Sequence, residues 1–97
     1  MNLQLKNKIE QDTLSRLRAE MAKVKGLNVG KGLFMDTVMG DLLLRSKNVD
    51  VVAKVFNESF NNACKGIEMD EKEVDELYSW AEKKAVEYTE KWITGEL

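Results

Sequence analysis

From Val74 to Trp92 the residues Val74, Tyr78, Ala81, Ala85, Tyr88 and Trp92 advance in steps of 4, 3, 4, 3 and 4. A strand cannot carry that rhythm, because its side chains repeat every two residues and those of a helix every 3.6. Leu77 stands beside this seam, whose three heptad-like repeats make about 30 Å of helix at 1.5 Å per residue. The helix has a defined start and stop. In MDEKEV, Asp70 is placed to cap it and Glu73 completes a capping-box spacing. Glu71 and Glu73 lie where the helix dipole favours negative charge. Gly95 follows the last turn as a stop signal. Elsewhere the chain holds no proline at all, so no position carries a built-in helix breaker.

Three earlier segments show the same period. The first runs from about Asp12, read as its N-cap, to Lys25, with Leu14, Leu17, Met21 and Val24 on one seam. Leu3, Leu5 and Ile9 fall off that seam, so residues 1–11 read as a separate turn or a flexible arm. In the second, residues 33–46, Phe34, Val38 and Leu42 share a face that Met35, Met39 and Leu43 widen. So broad an apolar arc packs on more than one neighbour, and Gly40 within it marks a close crossing or a bend. The third, residues 48–64, sets Val52, Phe56, Phe60 and Ala63 at helical spacing, with Val51 and Val55 beside them and Gly66 as its stop. The expectation is a single all-α domain over residues 1–97. It is a small helical bundle of about four helices, ending in a long amphipathic one.

With 43 % apolar residues the 97-residue chain is too apolar to stay disordered. A domain this short buries a modest fraction of its surface, which favours self-association or a partner. No run approaches the roughly 20 apolar residues that span a bilayer, and MNLQLKNKIEQD lacks the apolar core of a secretory signal. Cys64, the only cysteine, permits no internal disulfide. The location expected is cytoplasmic. The net charge of −2 hides a gradient: residues 1–31 carry seven Lys/Arg against three Asp/Glu, and residues 67–97 carry four against ten. Such polarity suits antiparallel packing of the two ends or head-to-tail contact between chains.

Chemistry finds little purchase. KVKGLNVGKGLF, residues 23–34, resembles a phosphate loop only in composition: Gly26 and Gly30 enclose three residues where a Walker loop has four. Gly32 stands where that loop needs Ser or Thr, and a helix precedes it instead of a strand. The stretch therefore reads as a joint, in which Gly26 stops the first helix and Gly30 and Gly32 reverse the chain. Histidine is absent, which removes the commonest general base and the commonest nitrogen ligand of metals. Cys64 fits a small core residue, and EMDEKEVDE lacks the glycine turn of a calcium loop. Neither an enzyme nor a cofactor or metal is expected. Nucleic-acid binding is disfavoured: a helix-turn-helix built on RSKN would offer, in residues 48–65, Asp50 and Glu58 against Lys54 and Lys65.

Surfaces remain. On the last helix Trp80 lies to one side of the seam, and Val86 and Ile93 to the other. One buried stripe does not cover all three, so they are the expected partner-binding residues. AVEYTEKWIT, residues 85–94, with its alanine, its aromatic and its K-x-I-T ending, resembles the last helix of small phage proteins that sequester cyclic-nucleotide immune signals. The resemblance implies a helical oligomer and a nucleotide ligand. Two functions are thus expected in order. The first is a non-enzymatic protein–protein interaction protein, of the phage-inhibitor or small-adaptor kind, acting as an oligomer. The alternative binds a nucleotide or other phosphate through Arg16, Lys25 and Lys31 across a subunit interface.

Overall fold

The computed structural model describes residues 2–30 and 37–97, which form four helices and no strand. They are α1 (Asn2–Gly30), α2 (Thr37–Lys47), α3 (Asp50–Cys64) and α4 (Glu71–Thr94). The shape is a rod with principal extents of 53 × 19 × 17 Å. α1 runs along it and packs against the other three helices. α3 runs antiparallel to α1, since Arg16 meets Glu58 and Gln4 shares a groove with Ala63. α4 runs parallel to α1: Lys6 lies over Trp80, and Glu10 pairs with Lys84 one turn later. α2 and α3 are separated only by Asn48 and Val49. The Asn48 side chain donates to the Leu44 carbonyl at 2.7 Å, and Val49 keeps helical dihedrals (φ −62°, ψ −27°).

Residues 2–11 are no separate arm. They continue α1, burying Leu5 and leaving Ile9 0 % exposed. The buried stripe is Leu5, Ile9, Thr13, Leu17, Met21 and Val24. Each step of four residues advances it by about 40°, so it turns by about 160° between Leu5 and Met21. That winding lets one helix face α3 and α4 early and α2 late. Two further expectations are corrected. Asp12 lies mid-helix, paired with Arg16 at 3.3 Å, and caps nothing. Gly26 does not stop α1, which continues to Gly30: one poor helix former within a helix costs only about 1 kcal/mol relative to alanine. Lys31, Gly32, Phe34 and Met35 lie outside the described residues.

The termini of α4 agree with the expectation. Asp70 Oδ1 accepts from the Glu73 amide at 2.8 Å. Gly95 is left-handed at φ +77°, and its amide donates to the Lys91 carbonyl. Gly66 likewise ends α3 at φ +78°. The core joins Leu77, Ala81, Tyr88 and Trp92 of α4 to Val52, Val55, Phe56 and Ala63 of α3 and to the α1 stripe. Each large side chain taken out of water contributes roughly 1.5–3 kcal/mol. α2 is tied to α4 by a reciprocal contact: Trp92 Nε1 donates to the Arg45 carbonyl at 2.8 Å, and Arg45 Nε donates to the Ile93 carbonyl at 3.1 Å.

Candidate protein-interaction surface

The α4 seam keeps Ala81, Tyr88 and Trp92 buried as expected and departs from expectation at Tyr78. Leu77 is its buried centre at 1 % exposure, and Tyr78, expected on the seam, is 57 % exposed. Phe56 of α3 sits against Trp80 and Tyr88, with ring centroids 6.5 and 5.7 Å away. Tyr78 instead stacks on Phe60, centroids 5.6 Å apart and planes within 24°. Aromatic contacts thus run from the core (Tyr88, Phe56) outward through Phe60 to Tyr78 at the α3–α4 seam.

Beside this outermost pair lies a pocket of about 240 Å³ walled by the apolar Phe60, Cys64, Met69, Val74, Leu77 and Tyr78, with Asn61 and Lys65 at its α3 edge. Burial pushes the Cys64 thiol up from its ordinary pKa of 9.0, so it contributes apolar wall and no thiolate. Along the adjoining solvent face of α4, Glu71, Asp75, Tyr78, Glu82, Val86 and Ile93 follow at intervals of 4, 3, 4, 4 and 7. They form one stripe, acidic around Tyr78 and apolar further on. Val86 is 60 % exposed, and Ile93 is half-buried against the core. Trp80 is not part of this stripe. It is half-buried on the α1 side, against Phe56 and beneath the Lys6 ammonium at 5.8 Å. The expected partner residues lie, as expected, on opposite sides of the seam: Val86 and Ile93 share one stripe, which also carries Tyr78, and Trp80 lies apart from them. The stretch 85–94 puts its two aromatics, Tyr88 and Trp92, in the core at 1 % and 0 % exposure.

The phosphate candidates fare differently. Arg16 is held by two carboxylates, Asp12 and Glu58, each at 3.3 Å. Lys25 is exposed but nine residues further along α1, about 180° around the helix and about 13 Å up it. One chain does not bring the two to one phosphate. A groove of about 710 Å³, with Asp12 and Arg16 at one end of it, runs between α1 and α3. Gln4, Asn7, Gln11 and Asn62 line it with Lys8, and Ser59, 1 % exposed, contributes a hydroxyl without a hydrogen-bond partner. Sequence periodicity gave no warning of this groove, because polar residues on an outward face look alike whether the surface is flat or furrowed.

The charge gradient is not neutralised across α1 and α4. The ion pair that joins them among the described residues is Glu10–Lys84, with the acid on α1. Among the described residues no helix is long and apolar enough to cross a membrane, and no group of three His, Cys, Asp or Glu could hold a metal ion. Comparison of the chain with protein-family models, with curated proteins and with solved structures finds no match in any of the three.

Proposed function

We propose that this chain is a non-enzymatic interaction protein that works through the α3–α4 seam, as a small inhibitor or adaptor does. The observation that carries the proposal is Tyr78. A tyrosine 57 % exposed, stacked on Phe60 at the mouth of an apolar pocket, is a ready anchor point. Tyrosine combines large contact area with a low entropic cost of ordering, and aromatic anchors in pockets dominate interface energies. Val86, exposed on the same stripe, extends the contact surface. The single cysteine, kept as a thiol, suits action in the cytosol.

Native mass spectrometry of the protein purified gently from its own host tests this. The expected mass contains a second polypeptide, or a multiple of the 11.1 kDa chain, and the complex is lost in Tyr78→Ser but kept in Arg18→Ser. A bare monomer, or a complex indifferent to Tyr78→Ser, would refute the assignment.

One observation favours a second reading, a small-ligand binder: the buried, unpartnered Ser59 hydroxyl at the α1–α3 groove. A nucleotide or other phosphate there would use Lys8 in place of Arg16, whose charge is already spent on two carboxylates. It predicts that nucleotides raise the melting temperature and that Lys8→Glu abolishes the rise. No rise across a nucleotide panel would end it.

A further inference from the structure

The chemistry of the surface around Tyr78 constrains what it takes. Between residues 65 and 82 two lysines, Lys65 and Lys72, stand against Glu68, Asp70, Glu71, Glu73, Asp75, Glu76 and Glu82, a local net charge of −5. Among the described residues none of these nine groups enters an ion pair, although ion pairs occur along the rest of α4. Asp70 is occupied in capping α4. Glu71, Asp75 and Glu82 share the exposed face with Tyr78, so acids flank the pocket along its α4 side, while Asn61 and Lys65 wall it on the α3 side.

We propose that this pocket and its acidic flank dock a basic segment of a partner protein that carries a single large apolar anchor, the anchor entering beside Phe60 and Tyr78 and the cations meeting Glu71, Asp75 and Glu82. The inference rests on the interaction reading and adds the partner's chemistry to it. A purely apolar partner would strip water from carboxylates and return nothing. An acidic partner would be repelled, whereas a basic one is steered in by the field and held in register. Lys65 lines the pocket but forms no ion pair with Glu71, Asp75 or Glu82 among the described residues. A second copy would bring a net charge of −2 with its cations gathered in residues 1–31, and the homo-oligomer outcome below separates it from a basic partner. A pocket of about 240 Å³ has room for one aromatic or aliphatic side chain of the partner.

The test uses three labelled helical peptides of about 14 residues: leucine with lysine at amphipathic spacing, leucine with glutamate, and serine with lysine. Binding to the full chain is read by fluorescence anisotropy at low and high salt. The leucine–lysine peptide is expected to bind, to weaken about tenfold with salt, and to outbind the serine–lysine peptide about tenfold. Tyr78→Ser should cost about tenfold for the leucine–lysine peptide alone. The double change Glu71→Lys, Asp75→Lys should abolish its binding and admit the leucine–glutamate peptide. Tyr78, Glu71 and Asp75 are all exposed, and unchanged circular dichroism verifies that the variants fold. Three results would each overturn the proposal: no binding, equal binding of the glutamate peptide, or indifference to Tyr78→Ser. A homo-oligomer dissolved by the double-lysine variant would also overturn it, assigning the face to a second copy. A partner recovered by native mass spectrometry that these peptides fail to displace would leave the interaction reading standing and remove this one.

Discussion

Arg45 performs two tasks at the residue scale. Its carbonyl accepts from the Trp92 indole, and its guanidinium, 7 % exposed as a residue, reaches the Ile93 carbonyl and lies against Gly95. A cation at a helix C-terminus is favoured by the dipole, here with the ion largely out of water. A Cβ at residue 95 would stand 3.2 Å from Arg45 Cζ, and φ is +77° there. Gly95→Ala is therefore expected to cost about 1–2 kcal/mol, part backbone strain and part displacement of Arg45. Trp92→Phe removes the indole donor and some packing, and should cost about 2–3 kcal/mol. Urea unfolding measures both. If Gly95→Ala and Arg45→Met prove strictly additive, the contact between them is not real. Tyr88→Phe should go the other way. The hydroxyl is buried without a partner among the described residues, so its loss is expected to be neutral or to stabilise by about 1 kcal/mol. The sequence identifies Tyr88 and Trp92 as core, yet it misplaces Tyr78. On a helix wheel Val74, Leu77, Tyr78 and Ala81 are near neighbours, so the period alone does not say which of them turns inward; Leu77 does, and Tyr78 stacks on Phe60 instead.

At the scale of the element, the helices with local signals are legible and the one governed by winding is not. Asp70, Glu73 and Gly95 act through groups within five residues, so sequence alone locates the limits of α4. Asp70→Ala should cost about 1 kcal/mol, with fraying confined to residues 71–74 in amide exchange. Protection unchanged there would contradict the cap. α1 has no such punctuation. Its buried stripe steps by four and rotates, so any single seam fits only half of it, and Leu5 and Ile9 look off-face until α3 and α4 are in place. The α1–α4 contact also sets a pH dependence. Hydrogen bonds from Lys84 and then Lys91 hold the Glu87 carboxyl below its ordinary 4.5. Glu10 chiefly, with Glu87, raises Lys84 above its ordinary 10.5. Burial pushes Tyr88 up to about 12. A depressed acid stabilises the fold above its ordinary pKa, and that part is lost as pH falls through the depressed value. Raised groups stabilise below their ordinary pKa, and those parts are lost on the alkaline side. Stability should therefore be level between about pH 5 and 10, decline slightly below 4.5 because Glu87 is part-exposed, and fall between 10 and 12. Thermal melts across pH check this. Glu87→Gln should flatten the acid side and Tyr88→Phe should lessen the alkaline fall; melts unchanged in both variants would contradict the assignments.

For the whole molecule, the all-α bundle is legible because four segments share one period and nothing interrupts them. The charge gradient is legible too, but its use is not. Sequence polarity suggests that a basic first helix and an acidic last one neutralise each other. The packing instead joins them through Glu10 and Lys84 and leaves the acidic start of α4 facing solvent beside an apolar pocket. No local pattern announces that juxtaposition, since Phe60, Met69 and Tyr78 come from a helix, a loop and another helix. The most direct test places a photo-crosslinking residue at position 78, or at position 18 on the exposed side of α1, in the chain expressed in its own host. The working face lies on the α3–α4 seam if position 78 yields a discrete adduct and position 18 does not. Adducts from position 18 alone, equally from both, or from neither would contradict it.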